Sequence, residues 1–232
     1  MILLHTNDFH GTLDAEKATK IRKLKPEGSL YCDSGDCIKT GNLGVPLRRE
    51  LAWEMLALAG CDVGVPGNRE SHVLRQAFEA KIAGHRHPLL CGNLFDRANK
   101  PILPRSLVVE RNGLKIGLFG VMVAIVTERM ATQSVSQMLW TDPIESATEL
   151  AASLRSEVDV VIALTHIGHK NDLALADSAP GIDIILGGHS HTVLETPVRV
   201  GNTFVCQGGS HGKFLGLYEW NSDGLSGGLI SL

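Results

Sequence analysis

Short apolar runs alternate with longer amphipathic segments along this chain, and most of the apolar runs end in glycine or a polar residue. This alternation is typical of an α/β fold, in which helices cover the faces of a buried sheet. In the first half it predicts strands at 2–5, 29–32, 62–65 and 87–91, and helices at 14–25, 46–59 and 71–83. Asp14 has the side chain of a helix N-cap, and Gly84 can end the third helix.

The second half adds a hairpin and several more strands. Residues 106–110 and 114–119 are predicted to pair, because Asn112-Gly113 between them is a strong signal for a two-residue turn. A helix is predicted at 143–155, strands buried on both faces at 158–165 and 182–186, and antiparallel strands at 198–200, 203–206 and 214–220. Mixed strand directions predict two packed sheets with helices outside them, and a single doubly wound sheet is the alternative.

Composition narrows the class of protein. With 232 residues, of which 44% are hydrophobic, the chain can bury a core, and the absence of repeats or linkers predicts a single domain over 1–232. The 22 basic and 25 acidic residues give a net charge of −3, which argues against binding to a nucleic-acid duplex or an anionic membrane. The longest apolar stretch, 118–126, is too short to span a bilayer, and no leader precedes the first strand, so we expect a cytoplasmic protein.

The number and spacing of the cysteines also narrow the class of protein. The chain has five cysteines, an odd number, and none of them forms a C-x-x-C pair. We therefore expect reduced and mostly buried thiols, with neither a disulfide framework nor a zinc ribbon.

Side chains that can bind metal follow the predicted strands. Open α/β sheets place their ligands at the carboxyl ends of strands, which is where these side chains fall. A mixture of carboxylate, imidazole and amide donors favours first-row divalent metals over Mg²⁺ or Ca²⁺, which prefer oxygen alone. The motifs are Asp8-Phe-His10, Asp33-Ser-Gly-Asp36, Gly67-Asn68, Thr165-His166 and Gly188-His189-Ser-His191.

These motifs resemble the calcineurin-like metallophosphoesterase superfamily, in the family's order over residues 4–191. The segment LHTNDFHG at 4–11 resembles its 5'-nucleotidase branch in particular, and QGGSHGK at 207–213 resembles the strand that closes that branch's catalytic domain. The resemblance implies the metallo-dependent phosphatase fold, a four-layer α/β/β/α sandwich with two mixed sheets flanked by helices. It also implies a dinuclear-metal-dependent phosphoester hydrolase that acts on a small phosphorylated molecule.

Carried over by motif position, the resemblance implies two metal sites that share Asp36. It implies that a hydroxide bridging the two ions attacks phosphorus in line, without a covalent phosphoenzyme. Mn²⁺ is the expected ion, and Zn²⁺, Fe and Co²⁺ are alternatives. The implied ligands are Asp8, His10, Asp36 and His191 for one ion, and Asp36, Asn68, His166 and His189 for the other.

The chain departs from the 5'-nucleotidase pattern after Asn68. That branch has a histidine that contacts the phosphoryl group and an aspartate that orients it, whereas Arg69 and His72 stand at those positions here. Arginine cannot act as a general acid, but its planar fork can bind phosphate oxygens, so we expect Arg69 to stabilise charge. The alternative is a surface ion pair of Arg69 with Glu70 or another neighbour.

Two histidines have open roles at this point. His72 could serve as the acid, or could be an exposed residue at the start of a helix. His211, in a glycine-rich turn, either contacts substrate or merely permits the turn.

Loss of the proton donor favours substrates whose leaving groups need little protonation. The alternative functions are therefore a phosphodiesterase or pyrophosphohydrolase acting on nucleotide-diphosphate-type substrates, or a catalytically weakened metal-binding scaffold. A Gly-Asn-Arg-acid run also occurs in UDP-diacylglucosamine pyrophosphohydrolases, another group of the superfamily. The C-terminal nucleotide-binding domain of the 5'-nucleotidases is expected to be absent, and the sequence does not indicate an oligomeric state.

Overall fold

Two β-sheets lie face to face in the computed structural model, which describes residues 1–232. The helices are α1 (Ala15–Leu24), α2 (Leu51–Ala59), α3 (Arg75–Ile82), α4 (Pro143–Arg155) and α5 (His169–Ser178). The strands are β1 (Ile2–Thr6), β2 (Leu30–Asp33), β3 (Val63–Gly64), β4 (Leu94–Asp96), β5 (Ser106–Arg111), β6 (Leu114–Met122), β7 (Met138–Trp140), β8 (Val160–His166), β9 (Ile184–Gly187), β10 (Val198–Val200), β11 (Thr203–Gln207), β12 (Phe214–Asn221) and β13 (Gly224–Ser231).

Both large sheets mix parallel and antiparallel strands. The first has the order β13-β12-β1-β2-β3 and the second has the order β10-β11-β9-β8-β6-β5, while β4 and β7 form a separate pair. In the first sheet β1 runs parallel to β2 and antiparallel to β12. In the second, β6, β8 and β9 are parallel, and β5 folds back on β6 through the predicted Asn112-Gly113 turn, where both residues have positive φ.

Three apolar cores divide this sandwich into four layers. Successive side chains of a strand point to opposite faces, so Leu3 packs between the two sheets whereas Leu4 packs under α1, α2 and α3. Similarly, Ile162 faces the first sheet, and Val161 packs against α4 and α5. The predicted four-layer α/β/β/α arrangement is therefore confirmed, and the alternative of a single doubly wound sheet is wrong.

Several predicted elements differ at their boundaries. The second helix begins at Leu51 and not at residue 46, because the Glu50 carboxylate accepts the backbone N–H groups of Lys39 and Thr40 and ties the preceding segment to another loop. The third helix begins at Arg75 and not at residue 71, since the Ser71 carbonyl accepts a hydrogen bond from the Lys81 ammonium.

The predicted strand at 87–91 is reduced to an isolated bridge between Gly64 and Leu89, beside Pro88, which has no N–H for a ladder. The predictions omitted β4, β7 and β13, and did not assign a helix to the α5 segment. Helix α4 occupies the predicted residues, and Asp14 caps α1 as predicted by accepting the N–H of Lys17.

The cysteines are free and all but Cys61 are buried, as predicted. None of the helices combines the length and the apolar character needed to cross a lipid bilayer.

Candidate metal centre

The carboxyl ends of strands from both sheets meet at one edge of the sandwich. In the first sheet Thr6 pairs with Asp33, and in the second Thr165 pairs with Gly187, so the loops that follow these strands start level with one another. The loops after β1 and β2 are joined by backbone hydrogen bonds, from the N–H of Asp8 to the Gly35 carbonyl at 2.9 Å and from that of His10 to the Asp36 carbonyl at 2.8 Å.

These loops hold an unusual concentration of left-handed backbone. A positive φ is uncommon outside glycine, and at functional sites it persists because the surrounding contacts enforce it. Asn99 and Asn112 are the only other non-glycine residues with positive φ in the whole chain. Those at this edge are Asp8, His10, Asp36, His189, His191 and His211.

One group of side chains gathers around Asp8. Its Oδ1 lies 3.6 Å from His10 Nε2 and 3.3 Å from His191 Nε2, and the two histidine nitrogens are 2.9 Å apart. Asp8 is fully buried, whereas the side chain of His191 is 43% exposed, so the group opens to solvent on one side. Asp8, His10 and His191 form one possible metal-binding group.

A second group lies beside the first and consists of Asp8, Asp36 and His166. Asp36 Oδ1 is 3.5 Å from His166 Nε2. The Asn68 Oδ1 atom is 3.1 Å from the same His166 nitrogen and 2.7 Å from His189 Nδ1, so Asn68 adjoins this group. All the side chains predicted as ligands therefore converge at this edge.

The two groups share Asp8, whereas the resemblance makes Asp36 the shared ligand. Asp36 nevertheless lies between them, because its Oδ2 is 4.0 Å from His10 Nδ1 while its Oδ1 faces His166. The division of ligands between two ions stays a prediction.

The backbone beneath this second group leaves no space for a side chain at Gly67. A Cβ at that position would overlap the Asp36 carboxylate and contact the His166 ring at 2.8 Å. Glycine at this position therefore lets the loop that carries Asn68 pass directly beneath the cluster.

Burial dominates the electrostatics of the centre. It raises the pKa of the Asp36 carboxyl, against the opposing effect of His166, and it lowers the pKa of His10 to about 4, with Arg69 as the next cause. Burial also opposes protonation of His166, but the Asp36 and Asp8 carboxylates outweigh it and raise the pKa of His166. Neutral His10 is in the form that binds metals, and a cation here would offset the cost of burying the Asp36 carboxylate.

The donor set fits divalent metal ions. Asp8 Oδ1 and His10 Nδ1 are buried and have no hydrogen-bond partner, although almost all buried polar atoms in proteins have one. Asp8 Oδ1 faces His10 Nε2 at 3.6 Å and His191 Nε2 at 3.3 Å, and His10 Nδ1 faces Asp36 Oδ2 at 4.0 Å. A cation among these groups would give the two unpartnered atoms a ligand role.

Arg69 lies at the centre as the sequence predicts. Its backbone N–H donates to Asp36 Oδ1 at 2.7 Å, its Nη1 donates to the Lys39 carbonyl at 3.0 Å, and its Nε is 4.0 Å from Asp36 Oδ2. Arg69 does not pair with Glu70, whose carboxylate is fully buried and bonded to backbone amides. The other part of that alternative, an ion pair with another neighbour, corresponds to the contact with Asp36. The side chain of Arg69 is 30% exposed and stays accessible to a ligand.

His72 and His211, for which the sequence left two roles each, lie in different parts of the structure. His72 precedes α3 and does not lie at its start, and its Nδ1 accepts the N–H of Leu74, so this nitrogen binds its own chain segment and not the cluster. His211 lies beside the cluster, with its ring centroid 5.0 Å from that of His10 and 6.1 Å from that of His191, and its N–H donates to the Asp8 carbonyl.

Sequence reasoning missed the residues that hold these loops in place. Glu70 accepts the N–H groups of Asp36 and Gly67, each at 2.8 Å, and that of Ile38 at 3.1 Å, and so joins the loops that carry Asp36 and Asn68. Asn7 donates to Asp8 Oδ2 and to the Gly209 carbonyl. The motif position of Glu70, directly after Asn68-Arg69, was the signal that could have identified it.

Lys81 and Asn42 support the same region from the side. The Lys81 ammonium is fully buried and donates to the carbonyls of Gly41, Asn42, Arg69 and Ser71 at 2.7 to 3.0 Å. Asn42 Oδ1 then accepts the Asn68 Nδ2 amide at 3.0 Å, which leaves the Asn68 oxygen facing His166 and His189.

Two curated proteins are similar to this chain over most of its length. It is 30% identical over 263 residues to the trifunctional nucleotide phosphoesterase protein YfkN of Bacillus subtilis, covering 93% of this chain and 18% of that protein. It is 28% identical over 237 residues to a 5'-nucleotidase of Vibrio cholerae, covering 88% of this chain and 43% of that protein. The chain thus spans less than half the length of either relative.

The fold is likewise shared with solved structures. The 5'-nucleotidase precursor of Thermus thermophilus superposes with a TM-score of 0.80 at 20% identity, over 100% of this chain and 54% of that one. The family model for calcineurin-like phosphoesterases matches residues 1–193, which include every predicted metal ligand. The predicted family is confirmed, and the chain belongs to the calcineurin-like phosphoesterases.

Proposed function

We propose that this chain is a phosphoester hydrolase that uses two divalent metal ions to cleave a small phosphorylated molecule. The observation that carries the proposal is the convergence of buried and unpartnered donor atoms, Asp8 Oδ1 and His10 Nδ1 among them, at the edge where both sheets end. The named activities of the relatives, a nucleotide phosphoesterase and a 5'-nucleotidase, support the same chemistry.

The residues we propose as ligands are those named by the sequence motifs. Asp8, His10, Asp36 and His191 would hold one ion, and Asp36, Asn68, His166 and His189 the other. When bound, such ions supply positive charge that orients phosphoryl oxygens and activates water at neutral pH. We propose Mn²⁺ as the ion, with Zn²⁺, Fe or Co²⁺ as alternatives.

Arg69 is the chain's own group for binding phosphoryl oxygens. One Nη of its guanidinium donates to the Lys39 carbonyl, and its remaining N–H groups can donate to phosphoryl oxygens as negative charge develops on them. Because a guanidinium does not release its proton, Arg69 stabilises charge and donates no proton to the leaving group. His211 lines the open side of the cluster, beside His10 and His191, and we propose that it contacts substrate there.

A second candidate function follows from the contacts of His72. Its Nδ1 accepts the N–H of Leu74, so the ring can take up a second proton only by losing this bond, which disfavours the imidazolium form that a general acid needs. This arrangement favours leaving groups that depart without protonation, such as an aryl oxide or a phosphate. A phosphodiesterase or pyrophosphohydrolase acting on nucleotide-diphosphate-type substrates is therefore the alternative.

The third candidate is a metal-binding scaffold that lacks turnover. Leu43 and Leu47 are exposed just after Asn42, so apolar side chains adjoin the centre. His189 and His191 nevertheless remain open to solvent, and an open polar cleft favours an enzyme over a covered binding surface.

Hydrolysis of a substrate panel by the Mn²⁺-loaded protein tests these candidates. The panel contains nucleoside monophosphates, nucleotide-diphosphate sugars, and aryl phosphate mono- and diesters, with Asp36→Asn as the blank. We expect aryl and diphosphate substrates to be cleaved faster than alkyl monoesters. Rapid cleavage of alkyl monoesters would contradict the role given to Arg69, and no activity above the blank with both metals bound would favour the scaffold.

A further inference from the structure

A buried hydrogen-bonded pair lies behind the loop that carries His189 and His191. Asp172, on the first turn of α5, is fully buried and has no cationic partner. Its Oδ1 accepts the Thr165 hydroxyl at 2.6 Å, and its Oδ2 accepts the Gln207 amide Nε2 at 2.8 Å. None of these three groups belongs to the predicted ligand set, so they lie behind the ligands and can support the loop that carries them.

The Gln207 amide uses all of its hydrogen-bonding positions. Its Nε2 donates to the Gly188 carbonyl at 3.1 Å as well as to Asp172. Its Oε1 accepts the Ser190 hydroxyl at 2.9 Å and the backbone N–H of Thr192 at 3.3 Å. One buried side chain therefore holds the loop at residues 188, 190 and 192, which alternate with the two histidines.

The loop needs such support because its backbone is strained. His189 has φ of 79° and His191 has φ of 55°, and each non-glycine residue in this region costs about 1 kcal/mol or more. The N–H of His189 donates to Asp8 Oδ2 at 2.9 Å, which fixes one side of the loop. Gln207 is the buried side chain that fixes the other side.

Asp172 shares in fixing which way the Gln207 amide faces, together with the Gly188 carbonyl and the Thr192 N–H. A carboxylate accepts hydrogen bonds and does not donate them, so the amide nitrogen must point toward Asp172 and the amide oxygen toward Ser190 and Thr192. The space between the two side chains depends on Gly187, where an added Cβ would overlap Asp172 Oδ2. Asp172 thus reinforces, from behind Gln207, the amide orientation that the Gly188 carbonyl and the Thr192 N–H of the loop also require.

We propose that Asp172 and Gln207 are positioning residues that orient His189 and His191 for metal binding. The proposal rests on the proposed function, since it assigns these histidines to the metal ions. Residues that orient metal ligands from behind affect affinity strongly, and their loss typically weakens binding about 10- to 100-fold. We expect losses of this size when the polarity of the pair is broken.

An exchange of the two polarities tests the proposal. In Gln207→Glu two carboxyl groups face each other and the Gly188 carbonyl loses its donor, so this variant should bind Mn²⁺ about 10- to 100-fold more weakly. Asp172→Asn alone should have a smaller effect, because its amide oxygen can accept from Gln207 Nε2 while its NH₂ group donates to the Thr165 hydroxyl. In the double variant the new Asn amide can donate to the new Glu carboxylate, whose other oxygen still accepts Ser190 and Thr192. The double variant should therefore bind Mn²⁺ more tightly than Gln207→Glu.

The measurement is calorimetric titration of the metal-free proteins with Mn²⁺, with the thermal midpoint of each metal-free protein recorded alongside. Asp183→Asn is the matched control, because Asp183 accepts Arg155 and the Val161 N–H before the opposite end of β9. It should lower the thermal midpoint and leave Mn²⁺ affinity unchanged. Where a buried variant does not fold, Ser190→Ala at an exposed position breaks the same link and should weaken Mn²⁺ binding.

Wild-type affinity in Gln207→Glu, or a double variant no tighter than Gln207→Glu, would overturn the positioning role while the proposed function stands. A wild-type protein that binds no Mn²⁺ would overturn both.

Discussion

Glu70 offers a direct test of how the centre is held together. Its buried carboxylate accepts three backbone N–H groups from two loops, those of Asp36, Ile38 and Gly67. Replacing Glu70 with glutamine keeps the shape but turns one acceptor oxygen into an NH₂ donor. If the remaining oxygen keeps the N–H groups of Asp36 and Gly67, the new NH₂ group faces the N–H of Ile38, and neither has an acceptor.

The expected cost follows from these contacts. A hydrogen bond to a charged group contributes about 1.5 to 3 kcal/mol, and a buried N–H left without a partner costs about 1 to 3 kcal/mol. At Ile38 the lost hydrogen bond and the unpaired N–H are the same event and are counted once, while the bonds to Asp36 and Gly67 become bonds to a neutral acceptor. We therefore expect Glu70→Gln to lower the free energy of unfolding by about 3 kcal/mol. For a domain of this size, that corresponds to a thermal midpoint lower by about 6 to 12 °C.

The assay is urea unfolding of the metal-free protein in the presence of a chelator, so that metal binding does not contribute to stability. Glu50→Gln is the matched control, because Glu50 also accepts two backbone N–H groups, those of Lys39 and Thr40, but is only half-buried. Water can replace its lost bonds, and we expect a loss of less than about 1 kcal/mol. If Glu70→Gln is no more destabilising than Glu50→Gln, the assigned role of Glu70 is wrong.

Three further variants test individual assignments. Arg69→Lys removes the planar fork and should lower kcat/KM on an aryl phosphate about 100-fold, whereas Arg75→Lys on the exposed face of α3 should have no effect. In His72→Gln, kcat should stay within about twofold of the wild-type value at each pH. If kcat of the variant no longer falls at alkaline pH as that of wild type does, His72 is the acid. Burial raises the pKa of Asp33 to about 8, so its contribution to stability is present at about pH 4 and is lost as pH rises to about 8. Between pH 5 and 9 the free energy of unfolding of the metal-free protein, measured with urea, should therefore fall less for Asp33→Asn than for wild type. An equal fall in both proteins would refute the raised pKa of Asp33.

The sequence predicts the members of the centre better than the structure that supports it. Asp8, Asp36 and His166 could be identified because each lies at the end of a strand or within three residues after it, and the carboxyl ends of parallel strands share an edge. Their left-handed backbone could not be identified, since only a few aspartates and histidines have a positive φ and contacts with other loops decide which of them do.

Lys81 illustrates what a pattern of apolar and polar positions cannot reveal. A lysine on a helix is ordinarily expected at the surface, yet this one is fully buried because the carbonyls of two distant loops converge on it. The same packing explains why α3 starts late, since the Ser71 carbonyl is committed to Lys81. The role of Gln207 was hidden for the same reason, because its partners lie 15 to 35 residues away along the chain.

The donor atoms of the centre are divided between the two sheets. Asp8 and Asp36 extend from the first sheet, whereas His166, His189 and His191 extend from the second, so no single sheet carries a full set. Cations bound among them would act as cross-links between the halves of the sandwich, closing the long chain segment from residue 8 to residue 191 much as a disulfide does. The metal centre proposed for catalysis would then also hold the two sheets of the molecule together.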